Sequence, residues 1–158
     1  RIAAPHLFLA VRNAPRFRRS TPSPFPMSSS AEPAPAAPSG DVVIRTIAMP
    51  AATNANGDVF GGWLMSQMDL GGAVLARETA ASRVVTVAVE AMSFVAPVFV
   101  GDVVTCYASL DRLGRTSMRI NIEAWVHRLG DKSHRRVTHG IFTYVAIDDR
   151  GQPHPVKR

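Results

Sequence analysis

Asn54–Ala81, NANGDVFGGWLMSQMDLGGAVLARETAA, is the stretch on which the fold turns. A Gly-rich polar loop opens directly into a long apolar segment. It has no proline and few β-branched residues, so propensity and pattern agree on one helix from Gly62 to about Ala80. One acid, Asp69, sits within its hydrophobic length. On a helical wheel Leu64, Met68, Gly71 and Leu75 share one face, and Trp63, Leu70 and Val74 a neighbouring one. Asp69 shares a stripe with Gly62, Met65, Ser66, Gly72 and Ala73, which are mostly small. Gly71-Gly72 in mid-helix costs about 1 kcal/mol per glycine relative to alanine. Close approach of a ligand or of another backbone would offset this, and so would tight packing on a sheet.

Outward from the helix the chain reads as strand. Before it, Asp41–Ala48 is a Val/Ile-rich strand stopped by Pro50, and Asn56-Gly57-Asp58 is a turn. After it come Val84–Val95, Val103–Arg112, Arg115–Arg128 and His134–Asp148, separated by short turns at Pro97–Asp102, Leu113-Gly114 and Gly130-Asp131-Lys132. In the third of these, Met118, Ile120, Ile122, Ala124 and Val126 alternate with Arg119, Asn121, Glu123, Trp125 and His127, the pattern of a strand with one half-exposed face. In the last, Val137, His139, Ile141, Thr143 and Val145 share one face, and His139 reads as structural. The segment around Pro153–Pro155 reads as a loose tail. Short Gly/Asp turns between strands imply antiparallel pairing. The order is α+β: an antiparallel sheet wrapped around one helix.

Residues 1–40 hold eight of the twelve prolines and lack periodicity, so they are expected to form a disordered Pro/Arg-rich tail. Met27 is a plausible natural start. Residues 1–26 then read as an upstream extension or as a targeting peptide, while 41–155 form the folded domain. The net charge of +6 is mostly in the tail, since residues 1–40 carry five arginines and one acid. Without a dense basic run interleaved with aromatics, no nucleic-acid partner is expected. No apolar run is long enough to span a bilayer, so no membrane partner is expected. A single cysteine, Cys106, cannot form an internal disulfide; it reads as a core residue in a reducing, cytoplasmic compartment. The five histidines are scattered without ligand spacing, so no metal or other cofactor is expected.

The chemistry concentrates at two points of the opening stretch. A carboxylate in apolar surroundings suits Asp69 to general-base work. At the other end, Gly61 and Gly62 leave the first N–H groups of the helix unobstructed, where they could polarise a carbonyl and stabilise an oxyanion. From Gly61 to Asp69 is roughly 12 Å of helix at about 1.5 Å per residue. One carbonyl cannot touch both within a subunit. If both act on one substrate, they come from two subunits related by a twofold axis, which predicts a homodimer with the site at its interface.

The runs TNANGDVFGGWLMSQMDLGGA, RVVTVAVEAMSF, PVFVGDVV and LGRTSM resemble the YciA-like acyl-CoA thioesterases of the hotdog fold, over about Arg45–Asp148. The resemblance implies a sheet wrapped around a central helix, dimers with continuous sheets, and trimers of dimers, hence a homohexamer. It implies hydrolysis of acyl-CoA to free acid and CoA, with CoA present only as part of substrate and product. By motif, the catalytic acid falls on Asp69, and a contributing loop asparagine on Asn54. Asp58 is a further substrate-binding candidate, or simply caps the loop or the helix start. For the phosphates of CoA the candidates are Arg83, Arg112 and Arg115, with Thr116 and Ser117 as hydrogen-bond donors. A hotdog dehydratase is disfavoured, because those enzymes use a histidine in or near the central helix and this helix has none. A non-catalytic acyl-CoA-binding module would share the fold and lack a use for Asp69.

Overall fold

The computed structural model describes residues 37–128, 130 and 134–156. The tail expected over 1–40, with its start at Met27 or targeting peptide over 1–26, lies outside the described residues up to position 36. So does part of the turn after Gly130.

The elements are β1 (Asp41–Ile47), a 3-10 turn (Pro50–Ala52), α1 (Gly61–Ala80), β2 (Arg83–Phe94), β3 (Val103–Leu113), β4 (Ser117–His127) and β5 (His134–Ile147). The strands form one sheet in the order β1-β3-β4-β5-β2. Every pairing is antiparallel. The α+β expectation holds, and one long helix on a five-stranded antiparallel sheet is the hotdog arrangement. β4 begins two residues later than its alternation suggested, because Gly114–Thr116 is a tight turn whose Gly114 N–H donates to the Ser117 carbonyl at 2.8 Å. The helix stops where Ala81 turns left-handed (φ 49°) and its N–H bonds the Arg77 carbonyl.

Leu64, Met68, Gly71, Gly72, Ala76 and Ala80 form the buried stripe of α1 against the sheet. Both mid-helix glycines are required by that packing. A Cβ on Gly71 would lie 2.7 Å from Val43 Cγ2 on β1, and one on Gly72 would overlap the Tyr144 hydroxyl and Ile122 Cδ1. The helix therefore sits low on the sheet. On its other side Leu70 and Val74 remain exposed.

The core face of the sheet carries Met118, Ile120, Ile122, Ala124 and Val126 from β4, as the alternation predicts. On β5 the fully buried side chains are Val137, Thr138, Phe142, Tyr144 and Ala146, while His139, Ile141, Thr143 and Val145 are half-buried on the outer face. The apolar alternate set of β5 thus lies mostly away from the helix. A register shift between Ala124 and Trp125 pairs β4 irregularly with β5 and leaves Val137 out of step. The outer face is not simply solvated either. Glu123 and Trp125 are buried there, joined by a Trp125 Nε1–H···Oε2 bond of 2.8 Å, with Arg136 beside Glu123 at 3.6 Å.

β2 is an edge strand of twelve residues without proline or lysine, and Val85, Val87 and Val89 are exposed along it. Two register shifts, between Thr86 and Ala88 and between Glu90 and Ser93, reset which side chains face the helix. The second contains Ala91 at φ 52°. Thr86, Val89 and Phe94 consequently pair with the core-facing Tyr144, Phe142 and Thr138.

The segment after β5 is not a loose tail. Pro153 bridges to Ile147, the His154 N–H donates to Ala146, the Val156 N–H donates to the Arg115 carbonyl, and Val156 joins the core. An apolar residue two positions from the end tethers what its prolines suggested was free.

Candidate active site

The loop before α1 is organised by Asn54. Its side-chain Oδ1 accepts the N–H of Asn56 at 2.9 Å and that of Asp58 at 3.1 Å. Its main chain closes the same loop, with Asn54 N–H donating to the Asp58 carbonyl and Gly57 N–H to the Asn54 carbonyl. Gly57 supplies the positive φ of 85° that this turn needs. The acceptor of Asn54 is therefore committed locally, and its Nδ2 is the group with chemistry to offer a substrate. Asp58 is exposed and closes the loop through its backbone; it does not cap the helix, whose N-cap is Phe60.

The helix start is open electrostatically. No side chain caps α1 and its first turn holds no acid, so the positive end of the dipole at Gly61-Gly62 is not neutralised from within. The Phe94 ring lies over Gly61, where a Cβ would come within 3.1 Å of Cζ. Beside it an apolar cleft of about 260 Å³ is lined by Val59, Gly61, Leu64, Phe94 and Ala96–Val98.

Asp69 lies two turns further along the same helix and is half-buried. Its Oδ1 accepts the Thr86 hydroxyl at 2.6 Å. The Tyr144 hydroxyl stands 3.0 Å from the Asp69 carbonyl oxygen and 3.3 Å from Oδ1. Burial first, then the charge of Asp69 and the hydrogen bond to it, push the Tyr144 hydroxyl well above its ordinary pKa, so it remains protonated and donating. With Oδ1 engaged, Oδ2 is the carboxylate oxygen left to do chemistry.

Thr86, Tyr144 and Phe94 were not singled out from the sequence. The signal for Thr86 was faint: a lone hydroxyl in the apolar run Val84–Val89. Tyr144 alternates with the set Val137, His139, Ile141, Thr143 and Val145 that the sequence groups on one face, and carries no signal of its own. Phe94 takes its orientation from the irregularity at Ala91, which no residue pattern announces.

The proposed CoA phosphate residues do not converge. Arg83 lines a cleft of about 360 Å³ with Ser82, Asp148, Asp149 and His154 at the C-terminal end of α1. Ser117 lines another, on the outer face, with Glu90, Arg112 and Arg119. There Arg119 is already paired with Glu90 at 2.9 Å and Asp111 at 3.3 Å. Arg115 and Thr116 use their carbonyls to hold Val156 and Ala146. Cys106 is fully buried, and burial pushes its thiol up to about 12, so it is an unreactive core residue. Among the described residues no group of acids, histidines and cysteine could hold a metal ion, and no helix is long and apolar enough to cross a membrane.

Residues 56–131 match the family model of the Thioesterase superfamily. The chain is 57% identical over 122 residues to the acyl-CoA thioester hydrolase YciA of Salmonella typhimurium, covering 75% of this chain and 92% of that protein. Its fold matches a hexameric thioesterase from Yersinia pestis with a TM-score of 0.74 at 54% identity, covering 77% of this chain and 100% of the other. It also matches a hexameric hotdog fold thioesterase of Campylobacter jejuni with a TM-score of 0.72 at 38% identity, over 75% and 91% of the two chains. A chain more than half identical to such a hydrolase over nearly the whole of that protein, and sharing the fold, belongs to the YciA acyl-CoA thioester hydrolase family of the thioesterase superfamily.

Proposed function

We propose that this protein hydrolyses the thioester of acyl-CoA to a free carboxylic acid and CoA, at a site shared between two subunits. The observation that carries this reading is the Asp69 carboxylate, tethered through Oδ1 by Thr86 and placed on the same helix as the uncapped Gly61-Gly62 end. Eight residues of helix separate the two, roughly 12 Å at about 1.5 Å each, which is too far for one carbonyl. A twofold partner brings the Gly61-Gly62 end of one subunit to Asp69 of the other. The exposed edge of β2 and the exposed Leu70 and Val74 supply the surface for that partner. Three such dimers give a homohexamer, and the Yersinia pestis and Campylobacter jejuni relatives are hexameric.

In this site the thioester carbonyl accepts hydrogen bonds from the Gly61 and Gly62 N–H groups. Asp69 Oδ2 takes a proton from water as the water oxygen bonds the carbonyl carbon, and the carbonyl electron pair moves onto the oxygen held at the helix end. Collapse of that intermediate breaks the C–S bond. CoA leaves as thiolate and takes the proton back from Asp69. Asn54 Nδ2 orients the water or the thioester. Direct attack by Asp69 is the competing route. Rapid-quench mass spectrometry on a slow substrate separates them, because only direct attack acylates the Asp69 peptide. The acyl chain enters the apolar cleft beside Phe94. The CoA phosphates fall to Arg83 or to Arg115-Thr116-Ser117. A lone buried thiol, Cys106, suits a reducing cytoplasm.

The test follows free thiol release from a chain-length series of acyl-CoAs, with wild type and Asp69→Ala. Full activity in Asp69→Ala sinks the catalytic assignment. Acyl-CoA binding without thiol release from any member of the series would instead identify a binding module.

A further inference from the structure

Helix-on-sheet packing requires both mid-helix glycines, but they admit different neighbours. Gly71 faces Val43, an apolar neighbour. Gly72 faces a hydroxyl as well as an apolar neighbour, Ile122 Cδ1. A Cβ there would collide with the Tyr144 oxygen, the same atom that lies 3.0 Å from the Asp69 carbonyl and 3.3 Å from its carboxylate. Tyr144 is fully buried, and its ring stacks on Phe142 with centroids 6.5 Å apart and planes 15° apart. The phenol is thus fixed by the core independently of Asp69. On the neighbouring strand its partner in register is Thr86, whose hydroxyl reaches the same Oδ1.

We propose that Tyr144 is a positioning residue for the reaction at Asp69: admitted by Gly72, its hydroxyl ties the carboxylate to the backbone beneath it and keeps Oδ1 turned into the sheet, so that Oδ2 faces the substrate. This rests on the reading of Asp69 as the reacting carboxylate. The hydroxyl has one proton to give, shared between the carbonyl and Oδ1, while Thr86 holds Oδ1 from the other side. Two donors from adjacent strands leave the carboxylate one orientation. With Thr86 alone it can swing about the Cβ–Cγ bond and present either oxygen.

Tyr144→Phe removes the hydroxyl and keeps the ring. The expected result is a kcat lower by about tenfold with KM within about twofold, because a ground-state substrate contact is not what is lost. Activity per folded molecule, with the folded fraction read by circular dichroism, keeps partial unfolding from imitating a loss confined to kcat. Gly72→Ala keeps every functional group and displaces the Tyr144 hydroxyl, and should lower kcat in the same way with KM little changed. A folded Tyr144→Phe enzyme with wild-type kcat, or one that loses kcat/KM through KM alone, overturns the proposal. Asp69→Ala run alongside separates the two levels. If it is inactive while Tyr144→Phe behaves as wild type, only the positioning role fails. If it is fully active, the catalytic assignment itself fails.

Discussion

The loop that holds Asn54 and the helix position that holds Asp69 are built in opposite ways. Asn54 satisfies its acceptor with N–H groups two and four residues away. Asp69 is held by hydroxyls 17 and 75 residues away. The first arrangement belongs to the local sequence, because an Asn followed by a Gly-bearing turn closes on itself wherever it is placed. The second exists only once β2 and β5 have paired and the helix has docked. A site of this kind has one half that forms early and cheaply, and one half that reports on the whole fold.

Breaking the long-range half should cost most. Asp69→Ala should lower kcat by about a thousandfold, the middle of the range a general base contributes, with the thermal midpoint barely changed, as thiol-release assays and melting curves would show together. A second carboxylate, Asp102, combines both modes. It accepts the N–H of Phe99 three residues back and a bidentate pair of bonds from Arg128, each at 2.9 Å. Arg128→Ala leaves that buried acid without the guanidinium and should destabilise the fold by about 3 kcal/mol in denaturant titration. Burial alone would raise the Asp102 pKa, but the Arg128 and Phe99 hydrogen bonds outweigh it and hold the carboxyl below its ordinary 3.8. Its contribution to stability is therefore full above that value and is lost as the pH falls through the lower folded one. Acid unfolding followed by circular dichroism should be less steep in Asp102→Asn, which has no proton to take up.

Thr86→Val removes the 2.6 Å bond while keeping the shape, and should cost about 2 kcal/mol of transition-state stabilisation, roughly thirtyfold in kcat/KM. On the local side, Asn54→Asp preserves an oxygen for the two loop N–H groups and deletes only the Nδ2 donor. The expectation is a drop in kcat of about tenfold with an unchanged melting temperature. Wild-type activity in that variant would reduce Asn54 to a loop former. At the bottom of the scale, Cys106 should resist alkylation in the native state at pH 8, with full labelling only in denaturant.

The same contrast explains what could be read without coordinates. The helix, its glycine start and Asp69 stand in one continuous run, and periodicity plus turn chemistry placed them within a residue. The strands were found by alternation and by the turns between them. What escaped depended on register. On β5, His139, Ile141, Thr143 and Val145 do share a face, but the apolar Ile141 and Val145 hide that it is the outer one, and a β-irregularity takes Val137 out of the set. Thr86 and Tyr144 become neighbours through a pairing that no local pattern encodes. The Gly71-Gly72 pair was visible as an anomaly, but its meaning required knowing that a tyrosine hydroxyl lies above it.

The free edge of β2 has a kinetic consequence. If the sheet is completed by a second copy, catalysis is no longer a first-order property of the chain. Dilution below the dissociation constant removes the missing half of every site, so specific activity should fall with concentration even while each chain keeps its helix and strands. Substrate, which spans both halves, would pull the copies together again, and progress curves begun from dilute enzyme should accelerate before they slow.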